Sequence, residues 1–172
     1  MELHRTDAWS DGGGRFEWQV HAAAEFDGEV RDAVTRLKYA HDTGMALPLA
    51  RSVARIIDGS CVRDAVLTWV PTTDSHLRER GHDHAELIAR HVGALSGLRV
   101  RRLLRREGVR TQTGHGRAER MAGPSFVSRP VSRPARVVVI DDVTTTGATF
   151  RNAALALRGH IAIVCVAAAW VP

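Results

Sequence analysis

The chain has 172 residues, 44% of them apolar and 25% charged, and its 24 basic against 19 acidic residues leave a net charge of +5. Length and mix suit one packed domain and exclude a mainly disordered chain. No run of about 18 apolar residues marks a membrane span, and no short repeat points to a solenoid.

Residues 1–15 are polar, carry Gly12-Gly13-Gly14 and lack the apolar stretch of a secretory signal. They read as a flexible N-terminal arm ahead of one domain over 16–172. From Phe16 to Phe26 the spacing of Phe16, Trp18 and Val20 predicts a strand. Val30, Val34 and Leu37 then recur at helical spacing, with Asp27 placed to cap. A second helical stripe runs from Met45 through Leu49, Val53 and Ile56 to Ile57 and stops near Asp58-Gly59. Ala65 to Val70 is a continuous apolar run ending at Pro71, the pattern of a buried strand.

After a polar loop, Leu87, Ile88, Val92 and Leu95 predict a helix over Ala85–Leu95, and Leu98–Leu104 a further strand. Residues 105–125 hold few apolar groups and read as a long mobile loop. Val137–Ile140 is apolar on both faces, a helix follows over roughly Ala148–Leu157, and Ile161–Ala169 closes the chain as another buried strand. Strands alternating with helices predict a three-layer α/β fold with a mostly parallel central sheet flanked by helices. Cys61 and Cys165 lie about a hundred residues apart in apolar stretches. They read as buried small side chains of a reducing, cytoplasmic setting, and no zinc is expected.

The charge is unevenly placed. Lys38 is the only lysine, and eight arginines and two glutamates fall between Arg99 and Arg120. Such a segment favours phosphates, pyrophosphate or nucleic acid, although a solvated arginine-rich loop has the same composition. His76, His82, Asp83, His84 and His91 lie within sixteen residues, but their spacing makes no convincing metal set, so capping or surface roles are expected. Trp170 is expected to pack under the sheet edge.

The most informative stretch is VVVIDDVTTTGATF, Val137 to Phe150. A buried strand leads into Asp141-Asp142, then a Thr/Gly turn, then a helix. Ligands of open parallel sheets sit at the carboxyl ends of the strands. Gly147 lets the backbone approach an anion, and the amides opening the helix are unpaired donors at its positive end. Thr144, Thr145, Thr146 and Thr149 add hydroxyls. Two carboxylates beside a phosphate cradle make sense if they accept hydrogen bonds from sugar hydroxyls or act through a divalent cation.

This stretch resembles the phosphoribosyl-pyrophosphate (PRPP) motif of type I phosphoribosyltransferases. The resemblance implies that Thr145, Thr146, Gly147, Ala148 and Thr149 hold the 5′-phosphate, with Thr144 also in the PRPP site, while Asp141 and Asp142 face the ribose hydroxyls. It further implies magnesium, held by those aspartates indirectly. Three further segments resemble the ComF family in order: Lys38 in RLKYAHDTG, Val70-Pro71-Thr72 followed by LRERGHDHAELIARH, and Gln112, Thr113 and Arg120 in RTQTGHGRAER. On that resemblance Thr72 and Thr73 belong to a pyrophosphate loop, and Arg80 and Arg120 are the arginines expected to stabilise the departing pyrophosphate. The four-cysteine zinc module common in that family has no counterpart here. The family's R-G-F-N-Q turn reads Arg80-Gly81-His82-Asp83-His84, and no asparagine follows Arg120 in MAGPSF. Thr145 stands where purine-specific relatives carry an acidic proton acceptor, which disfavours a 6-oxopurine. The implied activity is phosphoribosyl transfer to a nitrogen acceptor. The alternative is a non-catalytic PRPP-binding competence protein that takes single-stranded DNA on the Arg99–Arg120 segment.

Overall fold

The computed structural model describes residues 3–11, 14–59, 62, 64–107, 123–129 and 135–172. Strands β1 (Leu3–Asp11) and β2 (Gly14–Ala22) are followed by helix α1 (Gly28–Tyr39), one 3-10 turn at Thr43–Met45 and α2 (Ala46–Gly59). Then come β3 (Val66–Trp69), α3 (Asp74–Arg80), α4 (His84–Ser96), and the short strands β4 (Arg99–Val100), β5 (Leu104–Arg106) and β6 (Phe126–Ser128). β7 (Arg136–Thr144), α5 (Ala148–Ala156) and β8 (Ala162–Trp170) complete the order.

Six strands form one sheet in the order β1-β2-β8-β7-β3-β4. Every neighbouring pair is parallel except the β1–β2 edge hairpin. The architecture is therefore the three-layer α/β arrangement expected from the sequence. Its central strands are apolar on both sides because both faces are covered. Along β7, Val138 and Ile140 face one core with Leu67, Trp69, Val34, Leu37, Val53, Ile88 and Val92. Val137 and Val139 face the other, with Trp18, Val20, Phe150, Ala153, Leu157 and Phe126. The two-residue period of a strand thus divides one apolar run between two helical layers.

Four details differ from the expectation. Residues 3–11, read as part of a loose arm, pair along their length with β2, from Leu3 opposite Ala22 to Asp11 opposite Gly14. Polar side chains are tolerated there because an edge strand needs only one ladder of backbone bonds, and Leu3 and Trp9 pack on the second core. The polar loop after Pro71 contains α3. No residue of α3 is buried, so it carries no apolar stripe to read. The strand expected over 98–104 is split: β4 joins the main sheet, whereas β5 leaves it to pair antiparallel with β6. Residues 108–122, the heart of the expected mobile loop, lie outside the described residues, as does Cys61. Finally, β7 continues past Ile140 to Thr144, carrying both aspartates on the strand itself.

Candidate functional site

The carboxyl end of the parallel sheet brings together residues far apart in sequence. A cavity of about 300 Å³ opens there, lined among others by Lys38, Thr72, Arg80, His84, Arg106, Asp141, Asp142 and Thr149. β7 delivers Asp141 and Asp142, the turn after β3 delivers Thr72, and the end of α1 delivers Lys38.

Asp142 is buried, 8% exposed. Its Oδ1 lies 2.9 Å from Lys38 Nζ and its Oδ2 3.7 Å from His84 Nδ1. Asp141 accepts a hydrogen bond from the Asp142 amide at 2.8 Å. Burial, then the negative charge of Asp142, pushes the Asp141 carboxyl well above the usual carboxylate range. Burial also raises Asp83, whose carboxylate accepts from the Thr72 amide at 2.9 Å and the Glu86 amide at 3.4 Å. One expected donor of the pyrophosphate loop, the Thr72 N–H, is thus engaged within the protein. Thr73 caps α3, its hydroxyl oxygen accepting from the His76 amide at 3.2 Å, and does not line the cavity. The turn holds its shape through Asp83 and the cap, and Thr72 lines the cavity whereas Thr73 does not.

Thr144, the last residue of β7, is buried, Thr145 and Thr146 beyond it are exposed, and Gly147 opens α5 with φ +81°. Only glycine takes that left-handed conformation without strain. It also provides no side chain to cap the helix. Among the described residues, the one bond found on the opening amides runs from Ala148 N–H to Thr146 Oγ1, at a long 3.4 Å. Arg5 of β1 reaches across the sheet to this turn. Its guanidinium pairs with Asp7 at 3.1 Å and approaches the Thr146 carbonyl at 3.5 Å. Nothing in the sequence pointed to Arg5, because its placement depends on the edge hairpin.

Two more residues were missed. Arg106 sat in the basic strip, but its neighbours Arg101, Arg102 and Arg105 are exposed while Arg106 turns into the cavity. Burial lowers the pKa of its guanidinium, with Asp141 and Asp83 pulling the other way. His84, expected at the surface or in a cap, is 4% exposed. Burial lowers its pKa to about 4, against the pull of Asp142 and with the push of Arg80, His82 and Lys38. Arg80 lines the cavity with its guanidinium 5.6 Å from the Tyr39 ring centre. Arg120, Gln112 and Thr113 lie outside the described residues. Cys165 is buried, and Trp170 packs on the second core as expected. Among the described residues, no three metal-ligating side chains are grouped as a cation site. None of the described helices is long and apolar enough to cross a membrane.

No family model matches the chain, and no curated protein matches its sequence. A solved structure of the allosteric regulatory enzyme of purine biosynthesis is similar in outline, with 20% identity and a TM-score of 0.47. The likeness covers 74% of this chain and 26% of that one, so the chain spans a small part of that enzyme's length. A likeness at this level decides nothing about activity.

Proposed function

We propose that this chain binds PRPP at the carboxyl end of its sheet and transfers the phosphoribosyl group to a nitrogen acceptor, releasing pyrophosphate, as a ComF-like member of the type I phosphoribosyltransferases. One observation carries the reading. The Asp141-Asp142 pair, carried on β7 shortly before its end, lines one cavity together with Thr72, Arg80, Arg106 and Thr149 of α5. That is a hydroxyl-binding pair between two anion-binding flanks, the layout a sugar phosphorylated at both ends requires.

In this reading the amides and hydroxyls from Thr144 to Thr149 hold the 5′-phosphate. Asp141 and Asp142 take the ribose hydroxyls. Arg80, Arg106 and Arg120 stabilise the pyrophosphate, for which guanidinium geometry is suited. The acceptor nitrogen forms its bond to C1′ as the bond to pyrophosphate breaks, and the leaving group keeps the electron pair. A transition state of oxocarbenium character asks for positioning and charge stabilisation, and no covalent nucleophile is needed. The two side chains alone do not build a cation site. Asp141 and Asp142 are nonetheless the residues that would hold magnesium here, as carboxylate donors of the kind that ion takes. When bound there, magnesium neutralises charge developing on the leaving group.

Calorimetry with PRPP and magnesium tests the reading. Binding is expected for the unaltered chain, and loss of it when Asp141 and Asp142 are both changed to Asn. An unaltered chain that gives no heat with PRPP is not a phosphoribosyltransferase.

The exposure of Arg101, Arg102 and Arg105 favours a second reading, single-stranded DNA bound beside the PRPP site. A contact of that kind is made to phosphates and weakens steeply with salt. Changing those three arginines to Ala is then expected to flatten the salt dependence of binding to a single-stranded oligonucleotide. Binding that ignores salt, or none at all, removes the second reading and leaves the first intact.

A further inference from the structure

Lys38 is set apart by both composition and place. The chain uses arginine for all of its 24 basic positions but this one, and the ammonium pairs with an aspartate of the cavity. The Lys38 side chain is 24% exposed and that of Asp142 12%, with Nζ 2.9 Å from Oδ1. Asp142's other oxygen faces the ring of His84, itself 4% exposed.

The two cations differ in how they hold a carboxylate. A guanidinium presents a planar fork that engages both oxygens side by side, whereas an ammonium makes a point contact from three rotatable N–H groups. A fork on Asp142 would cover the lone pairs that a sugar hydroxyl needs. A point contact on Oδ1 alone leaves room on the same carboxylate, and two N–H groups of the ammonium are left to turn toward a ligand.

We infer that Lys38 is a positioning residue that holds Asp142 by a single contact so that its carboxylate stays open to the ribose hydroxyls of the substrate, a role that arginine cannot fill. This rests on the phosphoribosyl reading given above and adds to it the demand for lysine specifically. It separates two parts of the ligand. The ribose side depends on Lys38, and the pyrophosphate side, held across the cavity, depends only on the overall charge.

The test compares Lys38→Arg and Lys38→Met with the unaltered chain by calorimetry, using PRPP with magnesium and, separately, pyrophosphate with magnesium. Lys38→Arg keeps the charge, so pyrophosphate affinity is expected to stay within about threefold, while PRPP affinity falls about tenfold or more. Lys38→Met is expected to lose PRPP affinity at least as far. Thermal unfolding of both variants checks that the fold survives, and Lys38→Met supplies the comparison should Lys38→Arg not fold. PRPP binding by Lys38→Arg at the unaltered affinity overturns the inference. Equal loss of both ligands also overturns it, since Lys38 would then be a general support of the site. An unaltered chain that binds pyrophosphate but not PRPP overturns the phosphoribosyl reading itself, a result visible before any variant is made.

Discussion

Valine at position 147 is expected to lower PRPP affinity about 100-fold or more while the chain still folds. Gly147 opens α5 at φ +81°, a conformation that a β-branched residue adopts only with strain. A Cβ built there would run into the Arg5 guanidinium, with Asp7 Oδ2 3.7 Å away. The obstructing group is the far end of a flexible side chain, so Arg5 can swing aside and the cost to folding stays moderate. The cost to binding does not, because the branched side chain would stand where the phosphate must approach the helix-opening amides. Gly97→Ala is the control. Gly97 also has a positive φ, +72°, but an added Cβ there meets nothing within 4 Å. That change carries backbone strain of about 1 kcal/mol and no obstruction. Calorimetry and thermal unfolding on both variants separate the two effects. Gly147→Val binding PRPP within threefold of the unaltered chain would place the phosphate elsewhere.

Replacement of His84 by Gln is expected to remove much of the acid sensitivity of folding. His84 has a folded-state pKa of about 4, whereas an unfolded histidine titrates near 6.5. Between those values the unfolded chain binds the proton and the folded chain does not. Stability from this residue therefore falls as pH drops from about 6.5 to about 4, and the integrated loss is at most about 3 kcal/mol. Asp141 works in the opposite direction. Its folded pKa is raised, so the folded state takes up a proton first and gains stability as the pH falls through its folded pKa toward the ordinary carboxylate range. The readout is thus the difference between the two proteins in urea unfolding across pH 7 to 4. The gap between them should close as the unaltered chain loses its advantage, or reverse. Parallel curves would show that His84 titrates alike in both states.

The parts legible before folding share a physical cause. Val137–Ile140 and Ile161–Ala169 are read correctly because a strand covered on both faces must be apolar at every position, and local composition alone expresses that. The stripe Val30, Val34 and Leu37 is read for the same reason at helical spacing. The stretch from Asp141-Asp142 to Gly147 is legible because a strand end, a threonine-rich turn and a left-handed glycine are all local features. β1 was missed since its side chains alternate between polar groups. The turn signal between the two runs is the Gly12-Gly13-Gly14 stretch of the sequence. α3 was missed because it packs nothing.

Arg5, Lys38, His84 and Arg106 are a different case. Arg5 and Arg106 carry no signal of their own in an edge strand and a basic strip, and Lys38 and His84 stand out in the sequence without showing what they meet. The convergence of Lys38, His84 and Arg106 on the cavity of the two aspartates, and of Arg5 on the turn at Gly147, depends on strand order. Chain composition and periodicity settle the layers and the loop that ends β7, since burial and backbone conformation act over a few residues. Which charges meet across the cavity is settled by the path of the whole chain, because Coulomb forces and hydrogen bonds act between neighbours in space.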